Sequence, residues 1–206
     1  MNLKTEHTVD NFVAEVLNDY KIACISREAS LLGRREVLTG KAKFGIFGDG
    51  KEIPQIAMSK AFQNGDWRSG YYRDQTFMLA AGLVSVQQLF SQLYADTNIA
   101  NEPNSGGRQM NAHFATRLIN DDGSWKSFTQ QKNTAADASP TAGQMPRALG
   151  LALASKLFRD NTALHSNTAL SINGNEVCFA TIGDASTSEG HFWETLNAAT
   201  VMRVPL

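Results

Sequence analysis

Residues 182–190, Ile-Gly-Asp-Ala-Ser-Thr-Ser-Glu-Gly, have the composition of a site that holds a diphosphate through a metal ion. Asp184 stands just past an apolar run at 177–182, and the small residues Ala185 and Ser186 follow it. Small side chains let backbone N–H groups approach phosphate oxygens, and a helix N-terminus adds favourable partial charge. A carboxylate there repels phosphate unless a cation lies between them. Mg2+ takes the carboxylate on one side and diphosphate oxygens on the other. The same residues also fit an ordinary Asp or Ser cap at a strand-to-helix turn.

Three further segments carry anion-binding or titratable groups. In 70–75, Gly-Tyr-Tyr-Arg-Asp-Gln, Arg73 can fork onto phosphate and Tyr72 can donate its hydroxyl. A surface Arg73–Asp74 pair beside a half-buried aromatic is the plainer alternative. In 106–113, Gly106 and Gly107 free the backbone, and His113 can carry protons near neutral pH. The alternative is a mobile loop with a hydrogen-bonding histidine. In 139–146, Ser139, Pro140 and Thr141 lead into a helix, and a turn with a cap also accounts for them.

The elements that must position these residues follow from periodicity. Apolar residues at three-to-four spacing predict a helix over 10–38, with Gly40 as its stop. Shorter helices are predicted at 52–62, with Pro54 in the first turn, and at 84–94. Two long polar stretches, 96–109 and 120–140, read as loops, and loops of that length are usually functional or mobile. A helix at 146–159, a buried strand at 177–182 and a helix at 189–204 complete the chain. That order is a doubly wound α/β unit, whose ligands bind beyond the C-terminal ends of the strands. The division expected is a helical segment at 1–40 and an α/β domain at 41–206. The closing residues 201–206 read as a turn before a further strand, so the sheet is expected to be incomplete and the chain to be a fragment.

Bulk properties narrow the function. Hydrophobic content of 42% and charged content of 19% suit a soluble globular protein. A net charge of −1 gives no reason to expect nucleic acid or an anionic membrane as partner. No apolar run approaches the roughly 18 residues of a membrane span, and the polar start of the chain lacks a signal-peptide core. Cys24 and Cys178 lie far apart, and Cys178 sits in an apolar run as a buried free thiol, so a reducing cytoplasm is the expected setting. Gly48-Asp49-Gly50 looks like a second diphosphate motif, but no buried strand precedes it, and Gly45 to Gly50 lacks the G-x-G-x-x-G order.

In order and spacing, the four segments together resemble the alpha subunits of thiamine-diphosphate-dependent 2-oxo acid dehydrogenases, the pyruvate and branched-chain types. The resemblance runs from about residue 19 to 206. It implies a thiamine-diphosphate-binding α/β fold, mostly parallel with helices on both faces and preceded by a helical segment. By the same resemblance, Tyr72 and Arg73 contact the diphosphate, Ser139 and Thr141 lie against the aminopyrimidine, and His113 sits near the substrate entrance as a candidate catalytic group. Gly183, Ala185 and Ser186 line the phosphates, and Asp184 holds Mg2+.

Some positions depart from the family pattern. Ala185 replaces a motif glycine, Thr141 stands where a bulky apolar residue is usual, and Ala138 and Gly143 replace hydroxyl residues that hold potassium in some members, so no potassium is expected. An asparagine pair that closes the motif, with a second metal ligand, falls past Leu206, so the isolated chain is expected to be inactive. The implied reaction is oxidative decarboxylation of a 2-oxo acid, with acyl transfer to a lipoyl group on an acyltransferase. The Gly107-Arg108-Gln109-Met110 stretch favours branched-chain acids over pyruvate. A beta-type subunit or fused half supplies the activating glutamate, and an oligomer is expected. An inert fragment, a transketolase-like enzyme and a generic α/β binding module are the alternatives. The two long loops are expected to be partly disordered without cofactor.

Overall fold

The structure, a computed structural model, describes residues 9–206; residues 1–8, the polar start of the first segment, lie outside the described residues. Helix α1 spans Val9–Leu38, and Gly40 ends it in the left-handed region at φ 76°. The face that α1 turns to the domain is small and polar. Ser26, Ala29 and Ser30 are buried, Ser26 Oγ meets Thr76 Oγ1 at 2.7 Å, and Gln75 donates to the Ser26 carbonyl at 2.9 Å. Small side chains allow α1 a close approach, so the large apolar ones fall on the outer side: Phe12 is 60% and Tyr20 68% exposed. Periodicity located this helix correctly but did not indicate which face packs.

An ion pair ties α1 to α2 (Glu52–Ala61). Arg27 grips the Glu52 carboxylate through Nε at 2.7 Å and Nη2 at 2.9 Å, and the Gly50 N–H donates to both oxygens. The Arg27 hydrogen bond, aided by backbone donors and opposed by burial, holds the Glu52 carboxyl at about 2, against 4.5 for an ordinary glutamate. The folded value lies below the unfolded one. The stabilisation is therefore complete above about pH 4.5 and is lost as pH falls through about 2. Melting curves across that window should fall more steeply for the parent than for Glu52→Gln, and parallel curves would remove the clamp.

Three short strands form one parallel sheet in the order β2-β1-β3: β1 is Trp67–Ser69, β2 Asn133–Thr134 and β3 Cys178–Ala180. Of the strands only β3 was predicted, one residue longer at its start and two longer at its end. β1 and β2 are too short and too polar to show a period. Alternation along β3 sets the two faces. Cys178 and Ala180 pack with Trp67, Ala148 and Ala152 under α5 (Gln144–Asp160). Phe179 points the other way, with its ring 5.3 Å from Phe62. On that side a core of Phe62, Phe77, Met78, Leu89 and Phe114 is shared by α2, α3 (Gln75–Ala80) and α4 (Val86–Leu93). The expected parallel sheet with helices on both faces is therefore present. After α6 (Gly190–Met202) the chain returns beside β3, where the Pro205 carbonyl accepts from the Cys178 N–H at 2.9 Å. Both cysteines are free, and burial pushes the Cys178 thiol up to about 12.

Helix α4 opens with a reciprocal cap. Ser85 Oγ accepts from the Gln88 N–H at 3.2 Å, and the Ser85 N–H donates to Gln88 Oε1 at 2.9 Å. Ser85→Ala should cost about 1 kcal/mol, a melting shift of about 2–4 °C for a chain of this size; an unchanged melt would show that the cap is idle. The long loop at 96–109, expected to be partly disordered, is braced from within. The buried Glu102 carboxylate accepts from the N–H groups of Asn104, Ser105 and Gly107 and from the Ser105 hydroxyl.

Candidate functional site

The loops that follow the three strands meet at one edge of the sheet, and a buried charge cluster joins them. Arg68 on β1 is 0% exposed. Its Nε donates to Asp74 at 2.8 Å, Nη1 to Thr134 at 2.7 Å and Asp137 at 3.1 Å, and Nη2 to Asp137 at 3.2 Å and the Tyr71 carbonyl at 3.1 Å. All five guanidinium N–H groups are used. Asp74 reaches the residue that follows β3 by accepting from Thr181 Oγ1, and Asp137 accepts from the Phe114 N–H at 3.0 Å. Gly70 must lack a side chain, because a Cβ there would lie 2.0 Å from Arg68 Cζ. The surface Arg73–Asp74 pair is not what forms. Asp74 is buried against Arg68, which leaves Arg73 exposed with its guanidinium 5.9 Å from the Tyr72 ring.

Arg73 is held by its backbone, and its guanidinium makes no ion pair among the described residues. Gln55 of α2 donates to the Arg73 carbonyl at 2.9 Å, and a Cβ on Gly48 would lie 2.5 Å from that oxygen. The look-alike Gly48-Asp49-Gly50 is thus a packing turn behind Arg73, and Asp49 pairs with Arg34 at 2.7 Å. Tyr71 spans the gap to the third loop. Its ring lies 4.5 Å from that of Tyr72, and its hydroxyl would be 3.0 Å from a Cβ on Gly183.

His113, Tyr72 and Ser139 come together. The rings of His113 and Tyr72 stack at 6.3 Å and 14°, and His113 Nε2 lies 2.8 Å from Ser139 Oγ. His113 is only 2% exposed and lies behind the exposed Ser139. On the far side of the same loop, His191 Nε2 donates to the Thr141 carbonyl at 2.9 Å, and Gln144 donates to the Thr181 carbonyl at 2.8 Å. These bonds fasten the second loop to the third.

Asp184, Ala185 and Ser186 lie in a short 3-10 turn, Asp184–Ser188, between β3 and α6. Neither this turn nor α6 has a side-chain cap. Thr187 and Ser188 donate back to the carbonyls of Asp184 and Ala185. The capping alternative is therefore not realised: the exposed Asp184 carboxylate accepts no hydrogen bond among the described residues. The Ser186 N–H donates to the Gly183 carbonyl at 3.0 Å, and the N–H groups of Asp184 and Ala185 have no partner among the described residues. Among the described residues no three His, Cys, Asp or Glu side chains are grouped to cage a metal, and no contact joins Asp184 directly to Arg73.

A family model described as Dehydrogenase E1 component matches residues 20–206. The chain belongs to that family. It is 29% identical over 198 residues to 2-oxoisovalerate dehydrogenase subunit alpha of Bacillus subtilis (strain 168), covering 93% of this chain and 49% of that protein. It is 27% identical over 191 residues to pyruvate dehydrogenase E1 component subunit alpha of Acholeplasma laidlawii, covering 93% and 44%. The mitochondrial 2-oxoisovalerate dehydrogenase subunit alpha of Caenorhabditis elegans is 25% identical over 167 residues, covering 81% and 32%. The chain thus spans half or less of the length of these relatives.

Within this E1-family chain, sequence reasoning missed Arg68, Asp137, Tyr71 and His191, which hold the site loops together. A charged residue two places before Gly70-Tyr71 is the one available signal for Arg68, but nothing in the sequence pairs it with Asp137. No described helix is long and apolar enough to cross a membrane.

Proposed function

We propose that the chain is the alpha-type part of a thiamine-diphosphate-dependent 2-oxo acid dehydrogenase, preferring branched-chain acids. The observation that carries this is the Asp184 carboxylate in the turn that follows β3, unpartnered among the described residues, beside a loop whose Arg73 makes no ion pair among them. The donor set fits the cofactor. A lone carboxylate suits Mg2+, which takes most of its other ligands from diphosphate and water. Asp184 would hold the ion, Arg73 and the Tyr72 hydroxyl would bind diphosphate oxygens, and the Ala185 N–H would add a donor, the Ser186 N–H being given to the Gly183 carbonyl at 3.0 Å. Gly183 lets Tyr71 close against that segment. Ser139 and Thr141 would face the pyrimidine.

When bound, thiamine diphosphate supplies the carbon nucleophile and the electron sink for decarboxylation. This chain binds and orients it. The activating acid, the lipoyl-bearing acyltransferase and a beta-type subunit or fused half belong to the same proposal, as do an oligomeric assembly and a cytoplasmic setting. The test is release of carbon dioxide from 2-oxoisovalerate and from pyruvate, with a beta-type partner, thiamine diphosphate, Mg2+ and an artificial electron acceptor. Faster release from 2-oxoisovalerate is expected. No release from either would end this reading, and faster release from pyruvate would reverse the preference.

A further inference from the structure

The contacts of His113 fix more than its position. Its Nδ1 lies 3.2 Å from the Asn111 carbonyl oxygen. A carbonyl can only accept, so Nδ1 carries the proton. No carboxylate touches the ring among the described residues, and an unpaired charge in so buried a place is costly. The ring is then neutral, and Nε2 is an acceptor. Its neighbour at 2.8 Å, Ser139 Oγ, must donate. A hydroxyl has one proton and two lone pairs. With that proton committed to a buried nitrogen, the exposed side of Ser139 can only accept.

Much of the local structure keeps the ring in this place. Gln92 donates to the His113 carbonyl at 2.6 Å. The Asn111 side chain bonds the Ile46 backbone in both directions at 2.9 Å. Between them Ala112 is held at φ 60°, a conformation that costs a non-glycine residue about 1 kcal/mol or more and persists only where surrounding bonds impose it. Tyr72 covers one face of the ring.

We propose that His113 is a positioning residue that fixes the polarity of the Ser139 hydroxyl, so that the site presents a hydrogen-bond acceptor matched to an amino group on the cofactor ring. The amino-group part rests on the thiamine diphosphate reading; the polarity part stands on this chain alone. A ring carrying an oxo group in place of the amino group would meet lone pairs on lone pairs. Without His113, the hydroxyl could rotate and serve either.

Two measurements test this. Long-range nitrogen–proton spectra of the 15N-labelled, ligand-free chain, with His113 assigned by His113→Gln, should show the proton on Nδ1. Ser139→Ala should then move the Nε2 resonance and leave Nδ1 in place. A proton on Nε2, or an Nε2 signal indifferent to Ser139→Ala, overturns the polarity. Affinities for thiamine diphosphate and for its 4′-oxo analogue, each with Mg2+, give the second readout. The preference for the amino compound should fall about five- to tenfold in Ser139→Ala and His113→Leu, the worth of one hydrogen bond. It should largely survive in His113→Gln, whose amide oxygen can take the place of Nε2. An unchanged preference in His113→Leu contradicts the proposal. If the parent chain binds neither compound, the cofactor reading and the amino-group match fall together, and the spectra still decide the polarity.

Discussion

Arg68→Met is expected to lower the melting temperature by about 6–20 °C. Removing one partner of a buried ionic group costs about 3–5 kcal/mol, and each kcal/mol is worth about 2–4 °C in a chain of this size. The reason lies in what remains behind. Burial works against the Arg68 charge, and the carboxylates of Asp137 and Asp74 outweigh it, so the guanidinium is held charged. Methionine would leave Asp74, at 1% exposure, without a counter-ion and Asp137, at 7%, with Arg147 alone as a nearby cation. It would also strip donors from Thr134 and the Tyr71 carbonyl. Adding Asp74→Asn and Asp137→Asn to Arg68→Met should recover part of the loss, because no buried charge then stands alone. Since the cluster joins the ends of all three strands, the single variant should also lose ligand binding. A melt within 2–3 °C of the parent would mean that water or rearrangement replaces Arg68, and the cluster would not be what holds the loops.

Asp184→Ala is expected to leave the ligand-free melt unchanged and to remove the Mg2+ dependence of thiamine diphosphate binding. The carboxylate is exposed and has no partner to orphan among the described residues, so its loss leaves the fold intact. In the complex it would face a divalent ion, and a bond to a charged group contributes about 1.5–3 kcal/mol, a factor of about 10 to 150 in affinity. Arg73→Ala should weaken binding by a similar factor with Mg2+ dependence retained, since its guanidinium would meet phosphate and not metal. The two variants are thereby separable by calorimetry at several Mg2+ concentrations. A large stability loss in either would show that the side chain has a structural partner that the present geometry lacks.

Five of the six α-helices among the described residues were legible because each carries enough apolar residues to show a period, and β3 was legible as an unbroken apolar run; α3, Gln75–Ala80, was missed because six residues are too few to show one. α1 shows the limit of that signal. Phe12, Val16 and Tyr20 mark a helix, yet Ser26 and Ser30 are the residues that it buries, and periodicity gives no preference to a small polar face. β1 and β2 escaped because a buried arginine and a buried asparagine occupy them, and a strand of three residues or two has no measurable alternation. The site segments were legible as short motifs around Tyr72, Ser139 and Asp184. Their connections were not: the Arg68 bonds to Asp137, the His191 bond to Thr141 and the His113 bond to Ser139 link residues 69, 50 and 26 apart. Long-range pairing of that kind is a property of the fold and leaves no local trace. The Asp74 error has the same origin, since its nearest charge in sequence, Arg73, is not its partner in space.

Amide chemical-shift mapping of the 15N-labelled chain during titration with thiamine diphosphate and Mg2+ tests the central claim most directly, because it registers weak binding and reports where it occurs. Shifts should concentrate at Tyr72, Arg73, Ser139 and Gly183 to Ser186, and should collapse when Mg2+ is withheld or in Asp184→Ala. Saturating cofactor that leaves those amides unmoved, or that moves a different set regardless of Mg2+, would contradict a diphosphate site at the ends of these strands.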